Sequence, residues 1–338
     1  MRTPGPVEIK SFAVQEGSGV GEARREATRI ARELGFDDSG TEKVAIAVAE
    51  VGTNLFKHGG GGEILVGAAS DGSLEVIALD RGRGIADLEV SFRDGYSTSG
   101  SPGNGLGAVR RLSSAFDIYT RPELGTALLA KFSPLAPASP ARRIRGIEIG
   151  GACVALRGEH VSGDSWAARE TSVGVAILVA DGLGHGPGAA EASREAVRIF
   201  LESKSLQGAQ VLEAIHEALR KTRGAAVSLA EVDLSRGLLR FSGVGNVGGT
   251  IVQGDEIRKA ACMNGTAGHT MARLQEFTYP FGSSGVLLLH SDGIKTSLRL
   301  DGHPGLLSRL PSLAAAVLYR DFARGTDDVT VVVARRTT

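Results

Sequence analysis

Ser133-Pro-Leu-Ala-Pro-Ala-Ser-Pro-Ala-Arg142 carries three prolines among small residues and has no apolar periodicity, the composition of a linker rather than of a helix or strand. A chain of 338 residues exceeds what one hydrophobic core usually organises, so a seam is expected, and this stretch supplies it. The reading gives one domain over 1–132, a linker over 133–143 and a second domain over 144–338. Upstream of the seam, 7–14 reads as a strand, opening on the alternation of Val7 and Ile9, and 21–34 as a helix closed by Gly35. Ser39 followed by Glu42 resembles a capping box and opens a second helix, with an apolar stripe through Val44, Val48, Val51 and Leu55. Strand-like runs at 63–67 and 73–79 end at Asp80; a helix near 106–114 and two short strands follow. Downstream, buried strands at 173–180, 238–242, 286–290 and 329–334 alternate with helices at 188–202, 210–220 and 313–320. Both halves are expected to be α/β (α+β).

Charge is balanced, with 38 Lys and Arg against 38 Asp and Glu, so no overall basic field collects nucleic acid or anionic membrane. The strongest apolar runs, such as 175–180, are too short to span a bilayer, and the first residues lack the apolar stretch of a secretory signal. A soluble, cytoplasmic protein is expected. Cys153 and Cys262 are isolated thiols with no C-x-x-C spacing, read as small core residues in a reducing compartment. Glycine, at 47 residues, is about twice the roughly 7% average and gathers in a few loops, where backbone must approach something closely.

Glu50, Asn54 and His58 recur every four residues and so share one stripe of the second helix. A polar helix face alone is usually just solvated. Here the next strand ends in Asp80-Arg-Gly82-Arg-Gly84-Ile85, followed by Gly103-Asn-Gly105-Leu-Gly107 at the head of a helix and then Gly125-Thr126. An aspartate at a strand end can accept a hydrogen bond from an adenine amino group while Gly82 and Gly84 turn the chain beneath the base. The loop 103–107 presents backbone N–H groups at a helix N-terminus, where phosphates are favoured. Asn54 offers its amide oxygen to magnesium bridging the phosphates, and Glu50 is placed to take a proton from an attacking hydroxyl. A dinucleotide-binding βαβ is excluded by spacing, because its glycine loop follows the first strand. The set resembles the GHKL ATPase superfamily, with Glu50-x-x-x-Asn54, Asp80-x-Gly-x-Gly and Gly103-x-Gly-x-Gly as its boxes and helices on one face of a mixed sheet. Asp94-Gly-Tyr-Ser-Thr-Ser-Gly-Ser-Pro-Gly-Asn-Gly-Leu-Gly107 is similar to the RsbT-type stressosome switch kinases. Over roughly 7–132 the resemblance implies ATP with magnesium at Asn54, Asp80, Gly82, Gly84, Gly103, Gly105, Gly107 and Thr126.

In the second half, aspartates fall at strand ends or turns: Asp164 in Ser162-Gly-Asp, Asp181 in Asp-Gly-Leu-Gly-His-Gly, Asp292 in Ser-Asp-Gly, and Asp327-Asp328 before Val329. One Asp-Gly is usually a turn. Several at the ends of apolar strands would repel one another and cost desolvation unless divalent cations neutralise them. Two oxygen-liganded ions would do so and would activate water for attack on phosphorus. No zinc-type Cys/His array is present, which favours magnesium or manganese. The set resembles the metal-dependent PPM phosphatases of the SpoIIE and RsbX type over roughly 144–336, an α-β-β-α sandwich. That resemblance implies Asp164, Asp181, the Gly182 carbonyl, Asp292 and Asp327 as ligands, with Asp328, which stands where many relatives have Asn, left open as the metal ligand of the adjacent pair. The phosphate-binding arginine that many eukaryotic relatives carry upstream of the first aspartate has no clear equivalent before Asp164, which leaves phosphate to the metals. His185 is either a proton shuttle or a loop residue, and Trp166 core or pocket wall.

The function expected is reversible serine or threonine phosphorylation of STAS-domain partners in a stress or sigma-factor pathway, with Glu50 and Asp181 as the catalytic pair of opposed activities. The rival is an ATP-gated binding module that delivers a partner to the phosphatase. No nucleic-acid or membrane partner is expected, and a homodimer is left open.

Overall fold

The computed structural model describes residues 9–69, 71–92, 105–134, 142–203, 207–271 and 274–337. It divides into two compact units, one of Ile9–Pro140 with Ser308–Val317, the other of Ala141–Leu307 with Leu318–Thr338.

In the first unit β1 (Ile9–Val14) leads into α1 (Gly17–Glu33) and α2 (Asp38–His58), then β2 (Gly62–Ala68) and β3 (Leu74–Leu79). The short α3 (Leu88–Ser91) and α4 (Gly105–Leu112) precede β4 (Ala115–Arg121) and β5 (Gly125–Phe132). Helix α2 starts one residue before the expected Ser39. Its N-cap is Asp37, whose carboxylate accepts the Gly40 N–H at 2.7 Å; an aspartate caps and favours the positive helix end as well. The strand order is β1-β2-β3-β5-β4, and every pair is antiparallel. The expected mixed sheet is corrected here, for a topological reason. The pair α1–α2 returns the chain to its starting end, so β2 opposes β1. The crossover from β3 does make β4 parallel to it, but β5 is inserted between them. Alternation then sorts the side chains. Ile64, Val66, Val76, Ala78, Leu128 and Ala130 pack on Ala27, Ile30, Val48 and Val51 of the helices. On the opposite face, cross-strand neighbours Glu75 and Lys131 form an ion pair at 3.4 Å, Lys131 meets Asp71 at 2.8 Å, and Ser312 donates to Glu75 at 3.1 Å.

The second unit begins with β6 (Arg142–Ile144), β7 (Ile147–Val154), β8 (Asp164–Glu170) and β9 (Gly174–Gly182). After α5 (Pro187–Glu202) and α6 (Gly208–Leu219) come β10 (Ala225–Asp233), β11 (Leu238–Val244), β12 (Gly248–Gln253), β13 (Glu256–Ala260), β14 (Phe277–Pro280) and β15 (Gly285–His290). The helix α7 (Pro311–Phe322) precedes β16 (Val329–Arg336), and its residues from Leu318 belong to this unit. One antiparallel sheet runs β13-β12-β15-β16-β7-β6 and the other β14-β11-β10-β9-β8. In β9 the period is two. Val175, Ile177 and Val179 join Trp166, Phe241, Leu287 and Leu289 in the core between the sheets. Ala176, Leu178 and Ala180 face the other way, under Ala192, Ala196 and Phe200 of α5 and Ile215 of α6. Trp166 is therefore core, and Cys153 is buried there too, its thiol pushed up to about 12 by burial first and Asp164 second.

Candidate functional site

Each unit gathers its chemistry separately. In the first, Glu50 and Asn54 of α2, Asp80 at the end of β3, Gly84, Gly105 at the head of α4, and Thr126 of β5 all line one cavity of about 600 Å³. The Asp80 carboxylate is held in place because its Oδ1 accepts the N–H of Gly82 at 2.9 Å and of Thr126 at 3.0 Å. Gly84 has φ +72°, and a Cβ there would fall 2.2 Å from the Arg121 carbonyl oxygen, so only glycine turns here. Gly105 is pressed against the helix stripe: a Cβ would stand 3.1 Å from Glu50 Oε2 and 3.4 Å from Asn54 Oδ1. The N-terminus of α4 thus faces both side chains. Asn54 Nδ2 is buried without a hydrogen-bond partner, a polar atom left for a group this cavity would take up. Gly107 is buried within α4, and Gly103 lies outside the described residues. The motif reading named no cation, yet Lys57 and Arg83 line the same cavity. Both flank motif residues, the one signal that pointed to them. His58 is pushed down by desolvation first and by Arg83 and Lys57 after it.

In the second unit the register pairs Asp164 of β8 directly with Asp181 of β9. Asp164 is 4% exposed, and its Oδ2 is buried without a partner. Burial and then Asp181 push its pKa well above the carboxylate range. Asp181 is raised to about 7 by burial, then by Asp292 and Asp327. Asp292 is raised by burial and Asp327, and its Oδ2 accepts from Asn246 Nδ2, a neighbour the motif reading did not single out. Gly182 closes β9 with its N–H bonded to Gly163 O at 3.1 Å. Asp327 Oδ1 accepts the N–H of Asp328 at 2.9 Å. Asp328 is different: it is buried, and both its oxygens are used, Oδ1 by Leu156 N–H at 2.7 Å and Oδ2 by Gly163 N–H at 2.8 Å. Nearby, His185 Nδ1 pairs with Glu159 Oε1 at 2.6 Å.

The donor set suits hard divalent cations: carboxylates that raise one another, one with an orphaned buried oxygen. Among the described residues no three His, Cys, Asp or Glu side chains close around a single point. Magnesium does not need such a cage, because it is held by one or two carboxylates and keeps several waters.

Residues 15–132 match the family described as histidine kinase-like ATPase domain, and residues 171–337 match stage II sporulation protein E (SpoIIE). Serine/threonine-protein kinase RsbT of Bacillus subtilis (strain 168) is 34% identical over 111 residues, 32% of this chain and 84% of that protein. A solved structure from work on the bacterial stressosome, described as a modular system adapted to control secondary messenger signaling, superposes with TM-score 0.52 at 29% identity. That match covers 56% of this chain and 99% of the other. RsbX in complex with magnesium superposes with TM-score 0.51 at 19% identity, covering 58% of this chain and 99% of its own, which is a likeness of fold. The paired boxes around the first cavity and the strand-end carboxylates of the second unit thus have one common explanation: the chain belongs to the RsbT-like family of kinase-type ATPase domains, here fused to a SpoIIE-type PPM protein serine/threonine phosphatase domain.

Proposed function

We propose that the chain phosphorylates serine or threonine of a STAS-domain partner with ATP in its first unit and removes phosphate from such a partner in its second, within a stress or sigma-factor pathway. The observation that carries the reading is the pairing of Asp164 with Asp181 beside Asp292 and Asp327, carboxylates that burial alone would not keep ionised. Asp164, Asp181, the Gly182 carbonyl, Asp292 and Asp327 would hold two manganese or magnesium ions. When bound, such ions supply an activated water and neutralise phosphate charge. The protein's own part is positional. Asp328 ties the turn before β8 to the start of β16 and so fixes Asp164 opposite Asp181. In the first unit Asp80 would accept from the adenine amine, the α4 N-terminus would face the phosphates, and Asn54 would bind the magnesium that ATP brings. Glu50 would take the proton of the attacking hydroxyl.

The test uses the full chain with a phosphoserine protein or an aryl phosphate. Hydrolysis is expected only with manganese or magnesium, and Asp181→Ala is expected to slow it by roughly 10³-fold or more, while Arg194→Ala leaves it unchanged. Full activity in excess chelator would rule out this reading.

A further inference from the structure

Carboxylates gathered at one end of the sheets repel a phosphate dianion even when cations neutralise part of their charge. A positive side chain beside them would hold the phosphate and offset the charge that builds on it. Before Asp164 the sequence offers no clear motif for such a group, Arg157 lying seven residues upstream in a loop. The fold brings one from the other direction.

Residues 322–324 run antiparallel beside 293–295. Lys295 N–H donates to Phe322 O at 2.9 Å, Ile294 and Ala323 form an antiparallel bridge, and Arg324 N–H donates to Gly293 O at 2.8 Å. Arg324 is thereby pinned beside the residue that follows Asp292, three positions before Asp327. Its side chain is exposed, and among the described residues its guanidinium has neither a hydrogen bond nor an ion pair. Other arginines of this part of the chain are engaged: Arg320 with Asp321, Arg335 with Glu148, and Arg223 with the His185 carbonyl. Arg324 lies within electrostatic reach of Asp292 and of His290.

We propose that Arg324 is the phosphate-binding arginine of the carboxylate site, its planar guanidinium taking two oxygens of the phosphoryl group. The arginine is set on a short two-chain ladder instead of on the strand upstream of Asp164. The proposal rests on the phosphatase reading above.

Inorganic phosphate, the hydrolysis product, is the probe. It is titrated calorimetrically into the manganese-loaded full chain, with aryl phosphate turnover and the manganese midpoint measured alongside. Arg324→Ala is expected to raise the Kd for phosphate about 10- to 100-fold and to lower kcat/KM by a similar factor, the loss of a charge-assisted hydrogen-bonded pair. Arg324→Lys is expected to recover part of the affinity, because it keeps the charge and loses the fork. The manganese midpoint should stay put or fall, since a cation has left the neighbourhood of Asp292. An unchanged phosphate Kd in Arg324→Ala overturns the inference while leaving the phosphatase reading standing. Should alanine at 324 impair folding, Arg324→Gln, which keeps length and polarity, gives the same two readings. A parent chain that turns over no aryl phosphate with any divalent ion sinks the phosphatase reading itself.

Discussion

Two adjacent aspartates do different work at the start of β16. Asp328 spends both oxygens on backbone N–H groups of Leu156 and Gly163, two positions in the stretch that leads to Asp164. Asp327 gives one oxygen to the next N–H and stands among Asp181 and Asp292, whose carboxyls it pushes up. Removing Asp328 leaves two N–H groups without their acceptors, at a cost of about 1–3 kcal/mol for each that stays buried and unpaired. Asp328→Ala is therefore expected to lower unfolding stability by that order, with manganese response weakened only through a displaced Asp164. Asp327→Ala is expected to weaken manganese activation sharply and to change stability little. Urea unfolding and manganese titration of the two variants decide it; the assignment of roles is wrong if Asp327→Ala is the one that loses stability. The adjacent pair was visible in the sequence, but its division of labour was not. It depends on which backbone N–H groups arrive from 156 and 163, far away along the chain.

At the scale of elements, the first unit depends on an ion pair buried in its sheet. Lys131 of β5 is 2% exposed and lies opposite Glu75 of β3. Burial disfavours the charge of Lys131, yet Glu75 and Asp71 outweigh it and raise its pKa. For Glu75 burial dominates and its pKa rises despite Lys131. The segment 308–317 completes the arrangement: Ser312 donates to Glu75, and the start of α7 is held by Asp117, which accepts Leu310 N–H at 2.7 Å and Arg309 Nη1 at 3.3 Å. Breaking such a pair from one side leaves an uncompensated charge, so Lys131→Met is expected to cost about 3–5 kcal/mol, and Lys131→Met with Glu75→Leu to recover most of it. A loss below about 1 kcal/mol in the single variant, as for an exposed pair, would show that the pair is solvated. None of this was legible locally, since a lysine and a glutamate in strands read as ordinary solvent-facing positions. The strands that could be read, β9, β15 and β16, are runs of branched residues with both faces covered. Strands β8 and β10 were missed because Asp-Ser-Trp-Ala-Ala-Arg-Glu and Ala-Ala-Val-Ser-Leu-Ala-Glu-Val-Asp show no clean period. Alanines of α5 and the apolar stripe of α6 bury their outer face, a tertiary effect. The site aspartates were legible because glycine follows Asp181 and Asp292 at strand ends. Arg324 was not, because only the pairing of 322–324 with 293–295 brings it there.

For the whole molecule the question is how two opposed activities show themselves in one chain. If the first unit phosphorylates a partner at one rate and the second strips it at another, the phosphorylated fraction at steady state is the first rate divided by their sum, and ATP is consumed continuously. Both sets of groups are in place for this: Glu50 and Asn54 against the head of α4, and Asp164, Asp181, Asp292 and Asp327 at the strand ends. Setting either rate near zero drives the fraction to a limit. With labelled ATP and a STAS-domain substrate protein, Asp181→Ala is expected to accumulate phosphorylated partner almost completely, and Glu50→Ala to leave it unphosphorylated. The parent chain is expected to fall between them while releasing inorganic phosphate steadily. Asp181→Ala is the informative variant, because a fast phosphatase hides a slow kinase in the parent chain. If it transfers no label to the partner while still binding ATP, Glu50 is not a proton acceptor in a transfer. The first unit is then a nucleotide-gated binding module that brings the partner to the phosphatase.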